Sequence, residues 1–177
     1  MNNDFPYADC QLELHYKVIE SIVKYTNCKN YLELGVQEGK CFETILPHVK
    51  RAIGVDIKDI RKKKLGEFYE ISTDKFFDFF KDTMDIIFID ADHSFESVKK
   101  DFENSLKILN KYGIIFLHDT DPSRKIFLEP GYCNDCYKIV DYIKQNHPEL
   151  DIVTLPLTIA GLSIVMRKDD RRVLQFI

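Results

Sequence analysis

The sequence predicts an α/β fold. Helices cover both faces of a seven-stranded, mostly parallel sheet, a three-layer sandwich that ends in a C-terminal antiparallel hairpin. Three observations predict it. Short apolar runs alternate with stretches of helical period along most of the chain. The first two runs lead into a glycine turn and an acid, in Tyr31-Leu32-Glu33-Leu34-Gly35-Val36-Gln37-Glu38-Gly39 and in Ile53-Gly54-Val55-Asp56. The last two runs are joined by only a few residues around Ala160-Gly161. So short a link makes a hairpin, not a parallel crossover.

The elements follow in order. Leu12, Tyr16, Ile19, Ile22 and Val23 recur at helical spacing, giving an N-terminal helix over 9–25. The first strand spans 31–34. A crossover helix over 39–46 turns Phe42, Ile45 and Leu46 inward, and Pro47 helps end it. The second strand is 51–56 and the third 68–71. Ser72-Thr73-Asp74 caps the next helix, whose apolar residues are Phe76, Phe77 and Phe80. The fourth strand, 84–89, is nearly all apolar, as a strand buried on both faces should be. Ser94 caps a helix over 95–110 with Phe95, Val98, Phe102, Leu106 and Leu109 on one stripe. Tyr112-Gly113 is expected to stop that helix. The fifth strand is 114–117. A loop over 119–132 follows, long enough to carry function. A last helix covers 134–145, and the hairpin strands are 151–157 and 162–167. No linker or internal repeat divides the chain, so 1–177 is expected to be one domain, with a helical segment at 1–29 and a core at 30–168.

Composition excludes several classes. The 177 residues suit one α/β core, with 45% hydrophobic and 31% charged residues. A net charge of −4 gives no electrostatic case for nucleic acid. The single basic run, Arg61-Lys62-Lys63-Lys64, reads as a solvated face, and Arg171-Arg172 as a solvated tail. No apolar stretch approaches the ~20 residues that span a bilayer, and Met1-Asn2-Asn3-Asp4 lacks a secretory pattern. A cytoplasmic protein with free thiols is expected from the five scattered cysteines. Cys133-x-x-Cys136 has no matching second pair to complete a zinc site.

The glycine turn separates two kinds of nucleotide site. Dinucleotide enzymes use G-x-G-x-x-G, with a pyrophosphate at the helix N-terminus. Here Glu33-x-Gly35-x-x-x-Gly39 lacks the middle glycine, because Gln37 stands there. An acid ahead of the glycines suits a cationic ligand better than a diphosphate. Asp56, at the end of the next strand, is placed for ribose hydroxyls. The segment resembles motif I of the class I S-adenosylmethionine-dependent methyltransferases, which have a Rossmann-like fold. The resemblance implies S-adenosylmethionine as cofactor, Glu33, Gly35, Gly39 and Asp56 around it, and Thr73, Asp74 and Asp90 near its adenosine.

The fourth strand runs out as Ile89-Asp90-Ala91-Asp92-His93-Ser94 and the fifth as Leu117-His118-Asp119-Thr120. Neighbouring strand ends that gather acids need a compensating cation or protons. The chain from about Asn30 to Lys168 resembles small-molecule O-methyltransferases of the catechol and caffeoyl-coenzyme A type. It is closer still to relatives with Asp-x-Asp-His-Ser and His-Asp strand ends. That resemblance implies a divalent metal, magnesium or another, on Asp90 and Asp119. Thr120 stands where those members have asparagine, so His118 or Asp92 would complete the set. It places His93 where they carry a lysine base, and an imidazole can take a hydroxyl proton near neutral pH. Asp92 reads equally as a helix cap and His118 as a backbone-bonding strand end, while the strand-end position of His93 favours function over a packed core histidine. His15, His48 and His147 read as structural or surface residues.

The expected activity is methyl transfer from S-adenosylmethionine to a hydroxyl of a small molecule or sugar, with His93 and Asp90 catalytic. Two alternatives stand beside it. One is a cofactor-binding module without turnover. The other is a nicotinamide-dependent oxidoreductase, disfavoured by Gln37 and the terminal hairpin. Contacts to the small-molecule acceptor would come from residues 5–16, the 119–132 loop or a partner subunit, which points to a homodimer.

Overall fold

The computed structural model describes residues 14–157 and 159–168. The expectations for residues 5–13 and for Arg171-Arg172 lie outside these. The described elements begin with helix α1 (Leu14–Thr26), strand β1 (Asn30–Leu34) and helix α2 (Lys40–Ile45), which tightens into a 3-10 turn at Leu46–His48. Strands β2 (Arg51–Asp56) and β3 (Glu67–Glu70), helix α3 (Thr73–Phe79), strand β4 (Met84–Ile89) and helix α4 (Phe95–Ile108) follow. The chain continues through β5 (Leu109–His118), 3-10 turns at Lys125–Leu128 and Cys136–Lys138, α5 (Ile139–Asn146), β6 (Leu150–Leu155) and β7 (Leu162–Arg167).

The seven strands form one sheet in the order β3-β2-β1-β4-β5-β7-β6. β7 lies antiparallel between β5 and β6, and the other neighbours are parallel. The order reverses between β1 and β4. Ligands in open α/β sheets bind beyond the carboxyl ends of the strands at such a switch point.

Side-chain alternation assigns each face. Leu32, Leu34, Ile53, Val55, Ile87 and Ile89 join Phe76 and Phe102 in one core. Tyr31, Ile86, Phe88 and Phe116 join Tyr16, Ile19 and Phe42 in the other. Burial on both faces explains why β4 reads as a nearly continuous apolar run. Phe42, Phe76, Phe102 and Phe116 are fully buried, each contributing about 1.5–3 kcal/mol of transfer free energy. The same alternation turns Glu33 toward the α1 face, because Glu33 pairs in register with Phe88.

Two boundary expectations are corrected. The helix ahead of β5 stops at Ile108, and Gly113 lies inside the strand rather than past a helix end. Leu109 pairs with Met84 while Ile86 pairs with Ile114, so residues between them form an irregular bulge. Asp85 holds that bulge: its carboxylate accepts from the Asn110 side chain and from the backbone N–H groups of Lys29 and Asn30. A local helix signal gave way to strand pairing. The basic run is not uniformly solvated either. Arg61 is only 4% exposed. Its guanidinium donates to both Asp59 oxygens and the Leu65 carbonyl, and lies 4.0 Å over the Phe68 ring.

Candidate active site

The turn after β1 is shaped by close backbone approach. Gly35 has φ +82, and a Cβ on it would lie 2.1 Å from the Asp90 carbonyl oxygen. This glycine therefore lets the β1 and β4 ends meet. The Gly35 N–H donates to Val55 O at 2.9 Å, and the Asp90 N–H to Leu34 O at 2.8 Å. Gln37 occupies the missing-glycine position with φ 49, a left-handed conformation rare for a side-chain-bearing residue. The Asp56 carboxylate accepts from the Val36 and Gln37 N–H groups at 2.8 and 2.9 Å through one oxygen. Asp56 thus braces the loop, and its other oxygen accepts from Lys58 N at 3.3 Å.

Two cavities meet at this loop and share Gly35, Gln37 and Asp90. The first, about 530 Å3, is lined by Asp56, Thr73, Asp74, Asp92 and Asp101 among others. Thr73 opens α3, where the Ser72 hydroxyl accepts from Lys75 N. Asp74 points to solvent and pairs with Lys100 at 2.7 Å. The buried acid of this cavity is instead Asp101, 2% exposed. Burial pushes its carboxyl up to about 7, against the hydrogen bond it accepts from Thr73. The sequence analysis did not single out Asp101, since it sits in mid-helix with no motif around it.

The second cavity, about 350 Å3, is lined by Glu33, Phe88, Asp90, His93, His118 and Asp119, with His15 and Tyr132 on its walls. Glu33 is 1% exposed and accepts from the Tyr31 hydroxyl. Burial, with the charge of Asp90 adding, pushes its carboxyl up to about 8. Asp119 has φ 60, so backbone strain sits at this strand end. His93 Nδ1 donates to the Tyr132 carbonyl and lies 3.0 Å from Asp119 Oδ2. With Nδ1 facing two acceptors, Nε2 is the nitrogen left to take a proton. Nε2 lies 3.7 Å from Asp90 Oδ1. An imidazole oriented by one acid, with its free nitrogen beside a second, is the geometry of a general base.

Asp90, His93 and Asp119 offer donor atoms that all lie within 4.8 Å of one another. The expected metal set of Asp90, Asp119 and His118 shares its two acids with this group. His118 Nδ1 lies 3.1 Å from Asp90 Oδ1 and 3.4 Å from Asp119 Oδ1. Burial pulls the His118 ring down, but the two carboxylates outweigh it and lift it to about 9. Thr120 is buried, with its hydroxyl accepting from Ser163 Oγ at 2.9 Å, so it belongs to the packing under β7. Asp92 caps: its carboxylate accepts from Ser94 N at 2.7 Å. Cys133 and Cys136 are buried free thiols. Cys133 donates to Asp119 at 3.3 Å, and burial together with that acid pushes its thiol up to about 12. Neither is poised as a nucleophile or a zinc ligand.

His48 and His147 keep structural roles, bonded to Glu20 and to Glu103 and Glu149. His15 packs at the cavity wall, stacked 5.8 Å from Phe88 and tilted by 45° at 4.4 Å from His118 between ring centroids. Its spacing to Ile19 puts it on the buried stripe of α1, which was the available signal.

The strand order, the glycine turn and the acids beyond β1, β2 and β4 define a Rossmann-like methyltransferase fold. The methyltransferase domain family matches residues 32–120, half of the chain, and the protein belongs to that family. None of the curated proteins matches the sequence. Solved structures share the fold at low identity. The SAH complex of an O-methyltransferase from Bacillus cereus superposes with TM-score 0.71 at 15% identity, covering 88% of this chain and 81% of the other. The SAM complex of the O-methyltransferase TomG from Streptomyces achromogenes, involved in tomaymycin synthesis, gives 0.68 at 11%, covering 88% and 80%. The SAH-bound methyltransferase PaMTH1 from Podospora anserina gives 0.66 at 18%, covering 94% and 83%. Among the described residues no helix is long and apolar enough to cross a membrane.

Proposed function

We propose that this protein transfers a methyl group from S-adenosylmethionine to a hydroxyl of a small molecule or sugar. The observation that carries the reading is the meeting of two cavities at Gly35, Gln37 and Asp90, one suited to a nucleoside and one holding a base. S-adenosylmethionine supplies an electrophilic methyl group on a sulfonium. Asp56 would accept from the ribose hydroxyls while bracing the Gly35–Gly39 loop. Thr73 and Asp74 would border the adenine, with Asp101 at the cavity floor. Glu33 would answer the ammonium of the amino-acid end.

The acceptor hydroxyl would lie against His93 Nε2. His93 takes its proton, Asp119 holds the ring through Nδ1, and Asp90 stabilises the imidazolium. Positioning and charge stabilisation would supply most of the acceleration. Two acids and an imidazole also suit a divalent cation such as magnesium or manganese. Asp90 and Asp119 would hold it, with His93 or His118 beside them as a nitrogen donor, and its charge would favour the ionised acceptor oxygen.

The test is transfer of labelled methyl from S-adenosylmethionine to a panel of phenols, catechols and sugars. Labelled ether product that disappears in His93→Ala supports the reading. Cofactor binding with no transfer to any hydroxyl, and transfer to amines or thiols instead, overturns it.

A further inference from the structure

Two buried nitrogens of residues that line the second cavity lack partners among the described residues: His15 Nδ1 and His118 Nε2. Both residues line that cavity, and their rings are 4.4 Å apart and tilted by 45°. Phe88 and Tyr16 pack around His15, with ring centroids at 5.8 and 5.7 Å. A leucine would fill such an apolar position without orphaning a polar atom, and an unsatisfied buried nitrogen is costly. Two such atoms on facing rings point to a shared partner that arrives with a ligand. His118 already uses Nδ1 on Asp90 and Asp119, so Nε2 is its remaining ring nitrogen.

We propose that His15 Nδ1 and His118 Nε2 form an oxygen seat of the acceptor cavity, filled by a hydroxyl group of the bound small molecule. A hydroxyl matches the pair because it donates one proton and accepts another. It can therefore bond one bare ring nitrogen and one N–H together. His15 stands outside the family-matched residues 32–120. The seat would let α1 take part in choosing the acceptor. The inference rests on the acceptor reading above. The carboxylate of the cofactor's amino-acid end is the other oxygen within the same chemistry, and the experiment separates the two.

The full chain, with ring nitrogens labelled, is titrated with S-adenosylhomocysteine and then with phenol, using toluene as the oxygen-free reference. The His15 and His118 ring 15N signals are expected to move with phenol and to stay still with S-adenosylhomocysteine and toluene. His15→Phe should weaken phenol about tenfold and leave S-adenosylhomocysteine within twofold, while His15→Asn recovers most of the phenol affinity. Signals unmoved by phenol, or equal movement with toluene, overturn the seat. Movement on S-adenosylhomocysteine alone gives it to the cofactor carboxylate and overturns the acceptor assignment. Failure of S-adenosylhomocysteine to bind refutes the cofactor reading instead, and phenol on the unloaded protein then tests the seat alone. The wild-type spectra decide the matter if His15→Phe does not fold.

Discussion

Glu33→Gln separates a structural acid from a working one. Glu33 is 1% exposed, and its carboxyl rises from 4.5 to about 8, chiefly through burial. The folded protein therefore keeps a proton that the unfolded chain releases above about pH 4.5. Stability from this group is full below that pH and is lost as pH rises through about 8. A shift of this size corresponds to on the order of 5 kcal/mol across the window, at most about 1.4 kcal/mol per pH unit. Glutamine keeps an acceptor for the Tyr31 hydroxyl and has no proton to lose. Urea unfolding between pH 5 and 8.5 should show wild-type stability falling with pH more steeply than that of the variant. Parallel pH profiles would refute the reasoning. A cofactor ammonium beside Glu33 would favour its ionised form. At pH 7 a group titrating near 8 is roughly 0.9 protonated, so binding should release close to one proton from wild type. Calorimetric enthalpies in buffers of different ionisation heat read that release directly. Buffer-independent enthalpy for wild type would refute a protonated Glu33 at the cofactor.

Three further outcomes are expected. His93→Ala should lower turnover by roughly 10²–10⁴ while S-adenosylhomocysteine affinity stays within a few-fold; unchanged turnover removes His93 as the base. Asp119→Asn should abolish any magnesium dependence of binding or rate and misorient His93; a variant with wild-type magnesium response places the ion elsewhere. Gly35→Ala should cost at least about 1–3 kcal/mol, because its Cβ meets the Asp90 carbonyl at 2.1 Å, and a thermal midpoint equal to wild type would refute that contact.

Most of the sheet was legible because its strands obey local rules. Residues 51–56, 84–89 and 162–167 were read with the bounds the structure has. Ser72 and Ser94 cap as their positions imply. The start of β5 was not legible: Leu109 to Gly113 carry a helix-ending pattern, and pairing with Met84 across the sheet overrides it. Arg61 looked like part of a basic face, since nothing local shows that Asp59, Leu65 and Phe68 enclose it. At the candidate site, Asp56, Asp90, His93 and Asp119 were singled out by strand-end position, whereas Asp101, in mid-helix, was not. Which acids the His93 and His118 rings face was not legible either, because it depends on how the fold turns each ring. His15 was hidden for a related reason: its neighbour His118 is far away in sequence, and only the fold brings the two rings together.

The most direct measurement is calorimetric binding of S-adenosylmethionine and S-adenosylhomocysteine, with and without magnesium. The account predicts micromolar binding of both, with a magnesium effect if Asp90 and Asp119 hold the ion. A folded protein that binds neither, under either condition, would contradict it.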